Sequence, residues 1–178
     1  MKRRIVLMFP MIVLMSFFQE STNLTFLDDL PIKELPYIES TDCQARFTAL
    51  KSNVNEDQIK LRGLNKLLAG MHLIYSNQSL SFTYNVAMRY RLHLSETFKT
   101  VVLSCYDWRV YTILINYKNE FDVIDAELIA FDFVDDRNHR VSSVIHKDKL
   151  AITHSVGLKD STLLYSIEQD GTINKIGN

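Results

Sequence analysis

The sequence predicts a mainly β protein, α+β at most: an antiparallel meander of about seven to eight strands, barrel- or sandwich-like, with one N-terminal helix. Three observations lead there. Residues 82–94 alternate apolar and polar side chains, the segments after them are short and rich in β-branched and aromatic residues, and Asp170-Gly171 marks a tight turn between two such segments. Period-two alternation puts one side-chain set on each face of a strand, whereas a helix would scatter both sets around its axis. Asp-Gly suits a hairpin turn because its second residue must adopt positive φ.

Taken in order, the chain begins with Met1-Lys2-Arg3-Arg4 and an apolar run over 5–18, interrupted by Pro10 and Ser16. That run is shorter than the roughly 20 residues a helix needs to cross the hydrocarbon core. Basic residues followed by a short apolar run read as a signal peptide or N-terminal anchor over 1–20. Pro10 argues against a buried core helix. The cleavage region offers only Ser16 and Ser21 as small residues, so removal and retention both stay open. Residues 21–42, with Pro31 and Pro36, read as an extended leader lying along the domain through Leu30, Ile32, Leu35 and Tyr37. A single β-rich domain is expected over 43–178, since a chain of 178 residues fits one domain.

The helix is expected over 55–71. Asn55 and Gln58 resemble a capping box, and Leu64, Leu67, Leu68 and Met71 form one apolar stripe. Gly63 costs about 1 kcal/mol inside it. The strand over 82–94 should bury Phe82, Tyr84, Val86, Met88, Tyr90, Leu92 and Leu94, leaving Arg89, Arg91 and His93 on a wet face. Strands over Lys99–Tyr106 and Arg109–Tyr117 follow, with Trp108 in the link. Residues 121–134 change phase, which suits a strand bent by bulges, or alternatively a helix over 123–133. Two hairpins close the chain: 140–146 with Lys149–Val156 around Lys147-Asp148, and 162–168 with 172–176 around Asp170-Gly171.

From 82 to 176 the pattern resembles small exported bacterial β-meander proteins of unassigned function. The residues that carry the resemblance are Tyr165-x-Ile167-x-x-Asp170-Gly171-x-Ile173 and Phe121-Asp122-Val123-Ile124-Asp125. It implies a β meander and export, and it brings no catalytic residues.

Charge and motifs narrow the function. Twenty basic and 21 acidic residues give a net charge of −1, without the basic excess that usually holds a nucleic-acid backbone. No G-x-G-x-x-G or Walker-type spacing occurs among the five glycines, so no dinucleotide or nucleotide cofactor is expected. No H-E-x-x-H, C-x-x-C or G-x-S-x-G pattern marks a zinc site or a nucleophilic serine. Cys43 and Cys105 are the two cysteines. In an oxidising compartment they would form one disulfide, contributing up to about 4 kcal/mol; two buried thiols are the alternative.

Candidate chemistry is sparse. His139 and His154, with Asp132, Asp135 and Asp136 before them, could form an acid–base or metal cluster, although a solvated hairpin end has the same residues. Asp122, Asp125, Glu127 and Asp132 could supply paired carboxylates. Arg89, Arg91 and Trp108 are the candidate binding residues, because arginine and aromatics dominate recognition surfaces. The expectation is an exported protein of the periplasm, cell envelope or extracellular space. It would be a non-enzymatic β domain binding an unknown protein or envelope component, and would touch membrane only through an uncleaved N-terminal segment. A small hydrolase using His and Asp residues around 132–154 is one alternative. An inhibitor or immunity-type protein is another.

Overall fold

The computed structural model describes residues 27, 29–40, 85–106, 109–118, 122–133 and 139–177, and every complete element among them is a strand. The expected signal segment, the helix over 55–71, Cys43 and Trp108 lie outside the described residues. The strands are β1 (Ile32–Lys33), β2 (Tyr37–Ser40), β3 (Asn85–Leu92), β4 (Lys99–Tyr106), β5 (Arg109–Tyr117), β6 (Val123–Phe133), β7 (His139–Ile145), β8 (Lys149–Val156), β9 (Lys159–Ile167) and β10 (Ile173–Ile176).

All ten belong to one open sheet in the order β1-β3-β4-β5-β6-β7-β8-β9-β10, with β2 on β7. The eight-strand antiparallel meander from β3 to β10 is the one the sequence pattern anticipates. The count rises to ten because the leader supplies two more strands. β1 lies parallel to β3, making the sheet mixed, and β2 pairs antiparallel with β7. The short passage between them includes a cis Leu35–Pro36 bond.

β6 is paired in the sheet with β7 at one position, Phe131 with Val141. Beyond that pair β2 takes β6's place along β7, with Glu39 opposite Ser143. The sheet therefore has two halves, β1-β3-β4-β5-β6 and β2-β7-β8-β9-β10. They meet through side chains as well: Asn116 Nδ2 donates to the Gly171 carbonyl at 2.7 Å, and the Ile173 N–H donates to Asp125 at 2.8 Å. Gly171 (φ +93°) sits at this contact, where a Cβ would lie 2.8 Å from Ile124 Cδ1. Glycine is required there for both conformation and space.

The expected one-sided strand over 82–94 is corrected by the structure. A register shift between Met88 and Tyr90 makes Arg89 a bulge. Ala87 lies opposite Ser104 and Tyr90 opposite Val102, so Tyr90 shares a face with Ala87, while Val86 and Met88 take the other face. A bulge adds one residue and so inverts the alternation beyond it. Both faces are covered, which is why the inversion is tolerated: Val86, Ala87, Met88, Tyr90 and Leu92 are all buried, and β5 is buried along its whole length. Fully burying side chains such as Leu103, Ile113 and Leu114 stabilises the fold by about 1.5–3 kcal/mol each relative to exposure.

Residues 121–134 resolve as a bent strand over the described part. The β5–β6 register shifts between Thr112 and Ile113 and again between Asn116 and Tyr117. These bulges reconcile the phase changes. The Lys147-Asp148 hairpin also forms as read, with the His146 N–H donating to the Lys149 carbonyl at 2.8 Å. β9 begins earlier than the sequence pattern suggests, at Lys159, after a two-residue turn of Gly157 (φ +63°) and Leu158. Lys159, Asp160, Ser161 and Thr162 are exposed, so they carry no apolar alternation to announce the strand.

Candidate functional site

A buried polar cluster lies where the leader crosses from one half of the sheet to the other. Glu39 on β2 is 1% exposed. Its carboxylate accepts from Arg89 Nη1 at 2.9 Å and from the Tyr90 hydroxyl at 2.5 Å. Arg89 also reaches Ser104 Oγ at 3.5 Å, and Ser104 shares a hydrogen bond with Thr112 at 2.9 Å. Tyr37 packs against the Tyr90 ring at 5.0 Å between centroids. The bulge at Arg89 aims the guanidinium inwards, and β2 brings the carboxylate that neutralises it. This arrangement ties strands together, with both Glu39 oxygens engaged by Arg89 and Tyr90.

Burial, then the neighbouring Glu39 carboxylate, pushes the Tyr90 phenol far above its usual range. A raised folded-state pKa means full stabilisation below the unfolded value near 10, with loss as pH rises past it. Tyr90→Phe is therefore expected to cost about 1–2 kcal/mol at pH 7 by leaving Glu39 one donor short. It should also flatten the decline in stability above about pH 10. Urea midpoints measured from pH 7 to 11 check both effects.

Of the three sequence-predicted binding residues, Arg89 and Arg91 are among the described residues, and both lie against the leader. Arg89 is held by Glu39, its side chain 16% exposed. Arg91 is half-buried, its Nε 3.4 Å from the Leu30 carbonyl oxygen and its N–H donating to the Pro31 carbonyl at 2.9 Å. Both arginines thus anchor the leader. Cys105 is buried, with its sulfur 3.9 Å from the Tyr111 carbonyl oxygen. No disulfide occurs among the described residues.

The structure also places the described histidine and carboxylate candidates, Asp135 and Asp136 lying outside the described residues. Val141 lies opposite His154, as the hairpin reading requires, and the rings of His139 and His154 stack with centroids 6.4 Å apart. Phe131 packs on His139 at 5.4 Å. Burial and His139 hold the His154 imidazole below its ordinary value. Asp132 faces Arg140 at 3.6 Å. Asp125 accepts the Ala126 and Ile173 N–H groups, and Glu127 accepts from Leu128, with burial raising its pKa. Among the described residues no group of three or more His, Cys, Asp or Glu side chains could hold a metal ion. A cleft of about 310 Å³ lies beside the β3–β4 loop, lined by Arg91, His93, Lys99 and Lys118 among others; His93 there pairs with Glu96 at 2.9 Å on the open surface.

The feature that sequence reading missed is on the outer face of the second half. The registers align Ile38 with Val144, Val144 with Ala151, Ala151 with Leu164, and Leu164 with Ile176. One apolar side chain from each of five strands thus forms a row across the sheet. Ile38 is 69% exposed, Leu164 51% and Ile176 49%. A parallel row of Ser40, Ser142, Thr153 and Thr162 flanks it on the same face. No single strand signals this row, because it runs perpendicular to the chain. Only the registers assemble it.

Comparison with protein-family models, curated proteins and solved structures gave no match to this chain.

Proposed function

We propose that this chain is an exported, non-enzymatic β protein that binds a partner protein of the cell envelope through the outer face of β2, β7, β8, β9 and β10. The observation that carries the reading is the apolar row Ile38, Val144, Ala151, Leu164 and Ile176, exposed at Ile38, Leu164 and Ile176, with its hydroxyl-bearing border. A contiguous apolar patch rimmed by polar groups costs solvation unless something covers it, and such patches mark interaction sites. The basic-then-apolar N-terminus supplies export, and the resemblance to exported β-meander proteins agrees with it. In that compartment Cys43 and Cys105 pair as a disulfide.

The test uses the double variant Ile38→Asp, Val144→Lys, two residues that face each other on the exposed side. Ile38 is exposed and Val144 partly buried, so the urea midpoint of the variant is measured beside it to establish that it folds. Cross-linking in the native envelope is expected to capture a partner with the wild type and to lose it with the variant. Equal capture by a folded variant would refute the proposed face.

A further inference from the structure

We infer that the stacked His139–His154 pair is an acid-sensitive latch on the seam between the two halves of the sheet, and that charging both imidazoles releases β7 from β6 at that end. Among the described residues the ladder joins β6 to β7 at one position, Phe131 with Val141. Both members of that pair are buried, and both meet the histidines. Phe131 packs on the His139 ring with centroids 5.4 Å apart, and Val141 lies opposite His154 of β8. His139 and His154 are diagonal neighbours across β7 and β8, with rings stacked at 6.4 Å and 26°. The rings of Tyr111, Phe131, His139 and His154 thus follow one another from β5 to β8. The pair that joins the halves sits within this row.

Neutral imidazoles suit such a place and imidazolium ions do not. A neutral ring packs as a largely apolar body, whereas two positive rings held this close repel and are each drawn towards water. Burial, then His139, holds the His154 imidazole below its ordinary value. A lowered folded-state pKa means full stability above the unfolded value of about 6.5, with loss as pH falls below it. Charged groups lie on each neighbouring element. Asp132 of β6 faces Arg140 of β7 at 3.6 Å. Arg109 of β5 lies opposite Phe133, its guanidinium over the Tyr111 ring. On β9, Lys159 lies opposite Val156 and Asp160 opposite Ser155. On β2, Glu39 lies opposite Ser143 and is held by Arg89. Among the described residues no carboxylate is paired with His139 or His154. Glu127, farther along β6, has its pKa raised by burial, so acid favours the folded form there and opposes the loss.

The halves are tied elsewhere by Asn116 to Gly171 and by Asp125 to Ile173. Neither tie uses a histidine, so release stays local to the Phe131–Val141 end. A two-state element biased by protonation of paired histidines is a known form of pH response. This inference does not depend on export or on the proposed envelope partner.

The test is hydrogen exchange of the purified full chain from about pH 8 to about pH 5, corrected for the intrinsic pH dependence of exchange, with imidazole titration by NMR beside it. Protection over 129–133 and 139–145 is expected to fall roughly tenfold or more, with a midpoint that follows the His154 titration, while Arg109–Tyr117 stays protected. His154→Gln should remove most of this response, because two charges are needed, and the double variant His139→Gln, His154→Gln should remove all of it. His146→Gln, at the exposed hairpin turn, should respond as the wild type does. Equal wild-type protection across the series, a loss spread evenly over all strands, or a loss that persists in a folded His154→Gln variant would overturn the inference.

Discussion

Glu39→Ala is expected to lower stability by about 3 kcal/mol, because removing one partner of a buried ion pair leaves the other charge uncompensated. The Glu39 side chain is fully buried and Arg89 is 16% exposed. The little solvent that reaches Arg89 places the loss near the lower end of the usual 3–5 kcal/mol. Tyr90 would lose the acceptor for its hydroxyl as well. Glu39→Gln should cost less, since an amide oxygen still accepts from Tyr90, although its charge attraction to Arg89 is gone. In a chain of this size the alanine variant would melt roughly 6–12 °C lower. Urea unfolding of both variants checks the order. Losses under about 1 kcal/mol for Glu39→Ala would mean that the leader strand contributes little to holding the two halves together.

Asn116→Ala is expected to be comparably damaging, again by about 3 kcal/mol. Asn116 is fully buried. Its Oδ1 accepts from the Thr100 hydroxyl at 2.7 Å while its Nδ2 donates to the Gly171 carbonyl at 2.7 Å. Alanine strands both partners in the interior and leaves a small void. Asn116→Asp keeps the acceptor for Thr100 but aims a carboxylate oxygen at a carbonyl oxygen, so it should be at least as destabilising. Chemical denaturation distinguishes the two variants. Hydrogen exchange at the Gly171 turn should rise in both, because Asn116 is its tie to the first half of the sheet.

What could be read from the sequence follows from how local each signal is. The eight meander strands announce themselves through β-branched residues, alternation and turn residues such as Asp170-Gly171, all of which act within a few positions. The bent β6 was legible from its phase changes for the same reason. The two leader strands were not: β1 and β2 pair with β3 and β7, distant in sequence, and their two and four residues carry no period of their own. The Arg89 bulge was hidden because both faces of β3 are buried, so inverting the alternation leaves the apolar pattern unchanged. Arg89 reads as a surface cation because the carboxylate that holds it, Glu39, is 50 residues away in sequence. The exposed row from Ile38 to Ile176 takes one residue from each strand and becomes visible only when the registers are known. The start of β9 was obscured by its polar, exposed residues, which resemble a loop.

Export is the premise on which the proposed function stands, and the intact mass of the protein recovered from its native host, with and without reductant, tests it most directly. Export with oxidation predicts a chain held in the envelope or outside the cell, lacking about the first twenty residues if the signal is cleaved. It also predicts a mass lower by two hydrogens before reduction, for a Cys43–Cys105 bridge. A full-length, fully reduced chain in the cytosol would contradict export. The His139–His154 pair and Cys105 would then become the places to look for intracellular chemistry.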